Sequence, residues 1–203
     1  MKYNPEIHHR RSIRLNEYDY ATAGAYFVTI CAHERECLFG EVLDGVMRLN
    51  PAGEMARAEW EGLPQRFPSV TLDEFAIMPN HFHGIIVISD VATCVASVGA
   101  PLAAPAFKSA ATTKGAASTN QGAASSAPTL GSIMRAFKSI SAIAVNRLLD
   151  RQGRPLWQRN YYERVIRDDE EMYAARKYIQ ENPLQWDLDR ENPVNEPQPT
   201  NNT

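Results

Sequence analysis

A seven-residue run, Met78-Pro79-Asn80-His81-Phe82-His83-Gly84, joins two apolar stretches, Val70 to Ile77 and Gly84 to Ser89, and limits the fold more than any other feature. Short runs rich in β-branched residues form strands. Strand side chains alternate between faces, so His81 and His83 share one face and Phe82 takes the other. Phe82 and the isoleucines are then free to anchor a core, while two imidazoles stand together on the opposite side. Such a pair has two readings. It is an ordinary surface pair at a strand end, or it chelates a divalent cation through one nitrogen of each ring. H-x-H alone does not separate them, because so short a motif often matches by chance.

The flanking chain supplies the rest of a sheet. Gly24 to Cys31 is nearly continuous in apolar residues, the pattern of a central strand. Leu38 to Leu43 and Val46 to Leu49 flank Asp44-Gly45, a good hairpin signal. Pro51 opens a helix that runs to about Leu63, and Pro64 ends it. Leu130 to Leu149 is strongly amphipathic, with Ile133, Met134, Phe137, Ile140, Ala144, Val145 and Leu148 on one face. A last strand lies at Tyr161 to Ile166. Asp168, with Glu171 three residues on, caps a final helix that Pro183 stops. This order of strands and helices predicts an α+β fold: an antiparallel-dominated sheet with helices mainly on one face.

Between Thr93 and Pro128 the chain turns to Ala, Ser, Thr, Gly and Pro, with Lys108 and Lys114 as its charges. It cannot bury enough apolar surface to offset its ordering entropy, and is expected to be a disordered insert in a loop. The chain is therefore expected to form one domain over residues 1–186, with the insert at 93–128. Residues 187–203 are expected to be a disordered acidic tail rich in Pro and Asn.

The formal net charge of −3 resides in that tail, and residues 1–186 balance at 20 basic against 20 acidic side chains. Bulk charge thus does not announce nucleic-acid binding, and any electrostatic case rests on local clusters. The densest is His8-His9-Arg10-Arg11-Ser12-Ile13-Arg14, either a solvated arm or a phosphate-contacting edge. Three cysteines without C-x-x-C exclude a disulfide framework and a zinc ribbon. Cys31, His33 and Cys37 lie close in sequence, but three ligand-type residues favour ordinary thiols over a zinc site. Met1 to Pro5 has no apolar leader, and no run approaches the roughly 20 apolar residues of a membrane span. A cytoplasmic protein with no membrane partner is expected.

The final helix offers a chemical partner for the histidines. Tyr178 and Asn182 are four apart and share one helix face. A tyrosine can be a covalent nucleophile, and an amide oxygen can complete a hard-metal shell. Equally, Tyr178 is placed as a half-buried core aromatic and Asn182 as a C-cap beside Pro183.

Five stretches taken together resemble the REP-associated tyrosine transposases, of the single-tyrosine HUH endonuclease superfamily. They are Arg11-Ser12-Ile13-Arg14, Gly24 to Cys31, Met78 to Gly84, Leu156-Trp157-Gln158-Arg159-Asn160-Tyr161-Tyr162, and Tyr178-Ile179-x-x-Asn182-Pro183. The likeness covers roughly Arg10 to Trp186, with the low-complexity insert as its gap. It implies a ferredoxin-like fold and metal-dependent cleavage and rejoining of single-stranded DNA that bears hairpins. By position it implies His81 and His83 as ligands of Mg²⁺ or Mn²⁺, and Tyr178 as the nucleophile that forms a 5′-phosphotyrosine. Asn182 falls where related enzymes commonly carry glutamine, and is the implied third ligand or an amide close to the metal. Arg10, Arg11, Arg14, Lys138, Arg159, Arg164 and Arg167 are the candidate phosphate or hairpin contacts, in a monomer or homodimer. Trp157, Tyr161 and Tyr162 are candidates for base stacking, with core packing favoured for Trp157 and Tyr162. Two other function classes stay open: a phosphoesterase whose histidines activate water, and a non-catalytic nucleic-acid-binding protein of the same fold.

Overall fold

The computed structural model describes residues 22–89 and 128–195. Arg10, Arg11 and Arg14 lie outside the described residues, as do residues 90–127, which take in all but the last residue of the low-complexity segment.

Strand β1 (Gly24–Cys31) is followed by a hairpin, β2 (Gly40–Leu43) and β3 (Val46–Leu49). Asp44 and Gly45 both have positive φ, as a two-residue hairpin turn of the Asp-Gly type requires. Helix α1 (Pro51–Glu61) starts on Asn50, whose side chain accepts the amides of Ala52 and Gly53. The predicted helix ends at Glu61, and Pro64 instead opens a four-residue helix α2 (Leu63–Arg66) at its first turn, where a missing N–H costs nothing. Strands β4 (Val70–Ile77) and β5 (His81–Ile88) follow, then α3 (Leu130–Leu148), β6 (Tyr162–Ile166) and α4 (Asp169–Glu181).

The sheet is four-stranded and antiparallel throughout, in the order β4-β5-β1-β6. Leaving the small hairpin aside, the chain runs β1-α1-β4-β5-α3-β6, which is the ferredoxin-like βαββαβ arrangement. Helices α1 and α3 pack on one face over Tyr26, Val28, Ile30, Phe82, Ile86 and Ile88. Helix α4 covers the other face, where Met172 and Ile179 meet Ala25, Ile85 and Ile166. The expectation of helices mainly on one face holds, with α4 as the exception that matters for function.

Gly84 is a packing requirement. A Cβ at this position would stand 2.7 Å from Cζ2 of Trp60 and 2.8 Å from the ring of Phe82. Trp60 is fully buried and its ring centroid lies 4.4 Å from that of Phe82. The glycine after the histidine pair therefore lets α1 seat its tryptophan on the back of the site strand. Gly84→Ala is expected to destabilise by about 1–3 kcal/mol, the usual range for overpacking. Denaturant melts measure it, and a change below about 0.5 kcal/mol, the scale of a neutral surface substitution, would show that the helix is free to shift.

The tail expectation fails for residues 187–195. A 3₁₀ segment, Asn182–Leu188, ends on Asp189, and a second short one spans Pro193–Asn195. Buried Asn192 donates to the carbonyl of Trp186, and Asn195 to those of Asp187 and Asp189. Glu191 pairs with Arg35 at 2.9 Å, and its carbonyl accepts from Asn80 at 2.6 Å. Composition suggested a solvated tail, whereas side-chain bonds to the backbone hold this segment against the sheet.

Candidate active site

Register builds the site. Thr29 stands opposite His83 and Cys31 opposite His81 across the β1–β5 ladder, and Thr29 opposite Tyr162 across β1–β6. Alternation then places Phe27, Thr29, Cys31, His81, His83, Tyr162, Arg164 and Ile166 on the α4 face of the sheet.

Helix α4 is fixed at both ends of its sheet contact. Its first turn is capped by Asp168, whose carboxylate accepts the amide of Glu171. Further along, Arg176 makes two 2.7 Å bonds to Asp73, and Gln180 donates to Glu74 at 2.9 Å. Asp73 and Glu74 occupy a register shift in β4 between Leu72 and Phe75, so an irregularity in the strand faces two side chains toward the helix. Burial of Met172 and Ile179 sets the helix's rotation and leaves Tyr178 and Asn182 over the histidines.

Four sequence-predicted residues meet here. The rings of His81 and His83 are 4.6 Å apart. Nε2 of His81 is 3.4 Å from Oδ1 of Asn182, and the Tyr178 hydroxyl is 3.5 Å from Nε2 of His83. The other ring nitrogens are occupied: Nδ1 of His81 lies 2.9 Å from Oδ1 of Asn80, and Nδ1 of His83 lies 2.8 Å from Oγ1 of Thr29. Both nitrogens of His81 face an amide oxygen, which only accepts; with the proton on Nδ1, toward the closer Asn80, Nε2 is left with a lone pair for a cation. Asn80 and Thr29 thus orient the pair, as partners behind metal-binding histidines generally do. Trp186 flanks His81, and Phe27 stacks near His83 and meets Tyr178 edge-on.

Both histidines are buried, and desolvation lowers their pKa values, that of His83 strongly, with His81 adding to the effect on His83. They are neutral at pH 7, the state a metal ligand needs. Tyr178 is 47% exposed, yet burial of its hydroxyl and the nearby Asp189 carboxylate raise its pKa, opposed by Asn182. The phenol is protonated at neutral pH and needs positive charge nearby to act as a nucleophile. Burial and the Glu191 carboxylate push the Cys31 thiol up to about 12, so it is a poor ligand. Cys37 is exposed, and nothing joins it to Cys31 and His33 as a metal site: among the described residues, no three His, Cys, Asp or Glu side chains gather closely enough to hold an ion. The donor set that fits a divalent ion is instead the two imidazoles with the Asn182 amide. Its 3.4 Å nitrogen–oxygen spacing lies within the range open to two ligands each about 2.1 Å from one centre.

The histidine shifts give a pH prediction. A folded-state pKa below the unfolded value of about 6.5 means stability that is complete above pH 6.5 and lost as pH falls toward the folded value. In chelator, the melting temperature should fall between pH 7.5 and 5.5. His83→Gln should flatten that profile, and parallel profiles would contradict the buried neutral state.

The DNA-contact candidates divide. Arg159, Arg164 and Arg167 are exposed, the last two over Glu171 at 2.9 and 3.9 Å. Lys138 differs: its ammonium donates to the carbonyls of Gln158, Arg159 and Asn160 at 2.5, 3.0 and 3.4 Å. Its charge therefore holds the turn that carries Arg159. Core packing is expected of Trp157 and Tyr162: Trp157 is core, donating to Ser141, but Tyr162 is 43% exposed on the site face. A trough of about 820 Å³ runs from Tyr178 and His83 along Phe27, Tyr162 and Arg164 to Asp189. Sequence reading passed over Thr29, whose role depends on register, and Asp189, which sat in the segment taken for a tail. Asn80 was visible beside His81, without a sign of its bond.

No family model matches the chain. An uncharacterised protein of Haemophilus influenzae is 40% identical over 189 residues, covering 93% of this chain and 96% of that one. Among solved structures, a REP-associated tyrosine transposase bound to a REP hairpin superposes with a TM-score of 0.53 at 16% identity, over 85% of this chain and 74% of the other. At that identity the likeness is one of fold.

Proposed function

We propose that this chain, which belongs to one family with the uncharacterised Haemophilus influenzae protein and has the fold of a REP-associated tyrosine transposase, is a metal-dependent single-stranded DNA nickase and strand-transferase of the transposase type. The observation that carries the reading is the meeting of two elements far apart in sequence: Tyr178 and Asn182 of the last helix stand 3.5 and 3.4 Å from His83 and His81 of one strand. Hairpin-bearing single-stranded DNA is the proposed substrate, in keeping with the hairpin bound by the structural relative.

His81, His83 and Asn182 would hold Mg²⁺ or Mn²⁺, which supplies charge stabilisation at the scissile phosphate and favours the phenolate. Tyr178 oxygen attacks phosphorus and gives up its proton. The bond from phosphorus to the 3′ oxygen breaks, and that oxygen leaves as a hydroxyl. The 5′ end stays on Tyr178 as a phosphodiester, so a 3′-hydroxyl from another end can reverse the step and join strands. Arg164 lines the trough, and Arg159 and Arg167, with Arg10, Arg11 and Arg14, are proposed to add phosphate contacts. The unit that does this is proposed to be the domain over residues 1–186 together with the bonded segment 187–195, with 93–128 dispensable to it.

Incubating the protein with hairpin-bearing single-stranded DNA and Mg²⁺ or Mn²⁺ should give an adduct that survives denaturation. Cleavage without an adduct would instead identify a phosphoesterase that activates water. Neither cleavage nor an adduct would leave the non-catalytic binding protein.

A further inference from the structure

We propose that Asp189 supplies the negative charge that the His81, His83 and Asn182 set lacks, acting on the bound divalent cation across one of the cation's waters. The inference rests on the functional reading above, and adds to it a residue from outside the two motifs.

The geometry is specific. Asp189 ends the 3₁₀ segment that continues directly from α4. Its Oδ1 accepts the amide of Glu191 at 2.7 Å, and its own amide donates to the carbonyl of Trp186 at 3.0 Å, so the carboxylate is held in place. Oδ2 is thereby left 3.9 Å from Nε2 of His81, the nitrogen that also faces Asn182. Asp189 is 12% exposed and His81 not at all. Asp189, His83 and Tyr178 line the same trough.

Charge accounting points the same way. Two carboxylates, Asp189 and Glu191, border a phenol that must become anionic and attack an anionic phosphodiester. Glu191 is answered by Arg35 at 2.9 Å. Asp189 faces the imidazole of His81 at 3.9 Å. Left uncompensated, that charge opposes the reaction, because a negative neighbour disfavours phenolate. Beside a divalent cation the same charge stabilises the bound ion. Two imidazoles and an amide bring no charge, while Mg²⁺ is held chiefly by carboxylates and keeps several of its waters. A carboxylate 3.9 Å from Nε2 of His81 fits that requirement across one such water.

Asp189→Asn tests this, because the amide keeps the Oδ1 acceptor for Glu191 and removes only the charge. Mn²⁺ binding is read by calorimetry and by the electron paramagnetic resonance of free Mn²⁺, without DNA. Wild type should bind, Asp189→Asn should bind at least about tenfold more weakly, and Glu191→Gln should bind like wild type. Wild-type affinity in Asp189→Asn, with binding lost in His81→Ala, would overturn the role of Asp189 and leave the functional reading standing. No Mn²⁺ binding by wild type would overturn both.

Discussion

Tyr178→Phe is expected to keep the fold, metal binding and DNA binding, and to abolish the covalent protein–DNA adduct. The ring is half in solvent, and its hydroxyl meets His83 at a long 3.5 Å and the Asn182 amide, so removing one oxygen costs the fold little. Chemically the loss is complete, since among the described residues no other tyrosine shares the position. Tyr173 lies on the same helix but is 69% exposed, five residues and about 140° away around the axis. Tyr162 faces the trough from β6, yet no amide accompanies it as Asn182 accompanies Tyr178. Adduct formation should drop on the order of 10⁴-fold or more, the scale of losing a nucleophile. Denaturing gels with labelled hairpin DNA read the result directly, and a surviving adduct would place the nucleophile elsewhere.

His81→Ala and His83→Ala should each remove metal-dependent cleavage, and together should weaken Mn²⁺ binding at least roughly 100-fold. Both side chains are buried, so each variant leaves a small cavity, but the ladder between β1 and β5 is a backbone structure and persists. Circular dichroism checks the fold while calorimetry reads the metal. Unchanged Mn²⁺ affinity in the double variant, or full cleavage in chelator, would refute the metal site. These histidines differ from ordinary buried ones in their company: Asn80 and Thr29 take the inner nitrogens and leave the outer ones facing Asn182 and Tyr178.

Much of this was legible in the residues. Strand periodicity put His81 and His83 on one face, and the structure has them on the α4 face with Phe82 in the opposite core. Helical spacing put Tyr178 and Asn182 together, and the order of strands and helices followed from periodicity with turn and cap signals at Asp44-Gly45, Pro51 and Asp168, while the ferredoxin-like arrangement came from the family resemblance. What local pattern cannot carry is register and long-range return. Thr29 acquires its role only because β1 pairs with β5 at that residue. Lys138 read as a free cation because the turn it serves is 20 residues away in sequence. Asp189 read as tail because Asp, Asn and Pro compose both solvated ends and tightly bonded 3₁₀ turns. Here Asn192 and Asn195 spend their amides on the backbone around it.

The central claim is that Tyr178, over the histidine pair, takes the 5′ end of cleaved DNA. Mass spectrometry of the nuclease-trimmed, trypsin-digested adduct tests it most directly. A nucleotide linked through phosphate to Tyr178 is the predicted result. The same mass addition on Tyr161, Tyr162 or Tyr173, or cleaved DNA with no modified tyrosine, would contradict it.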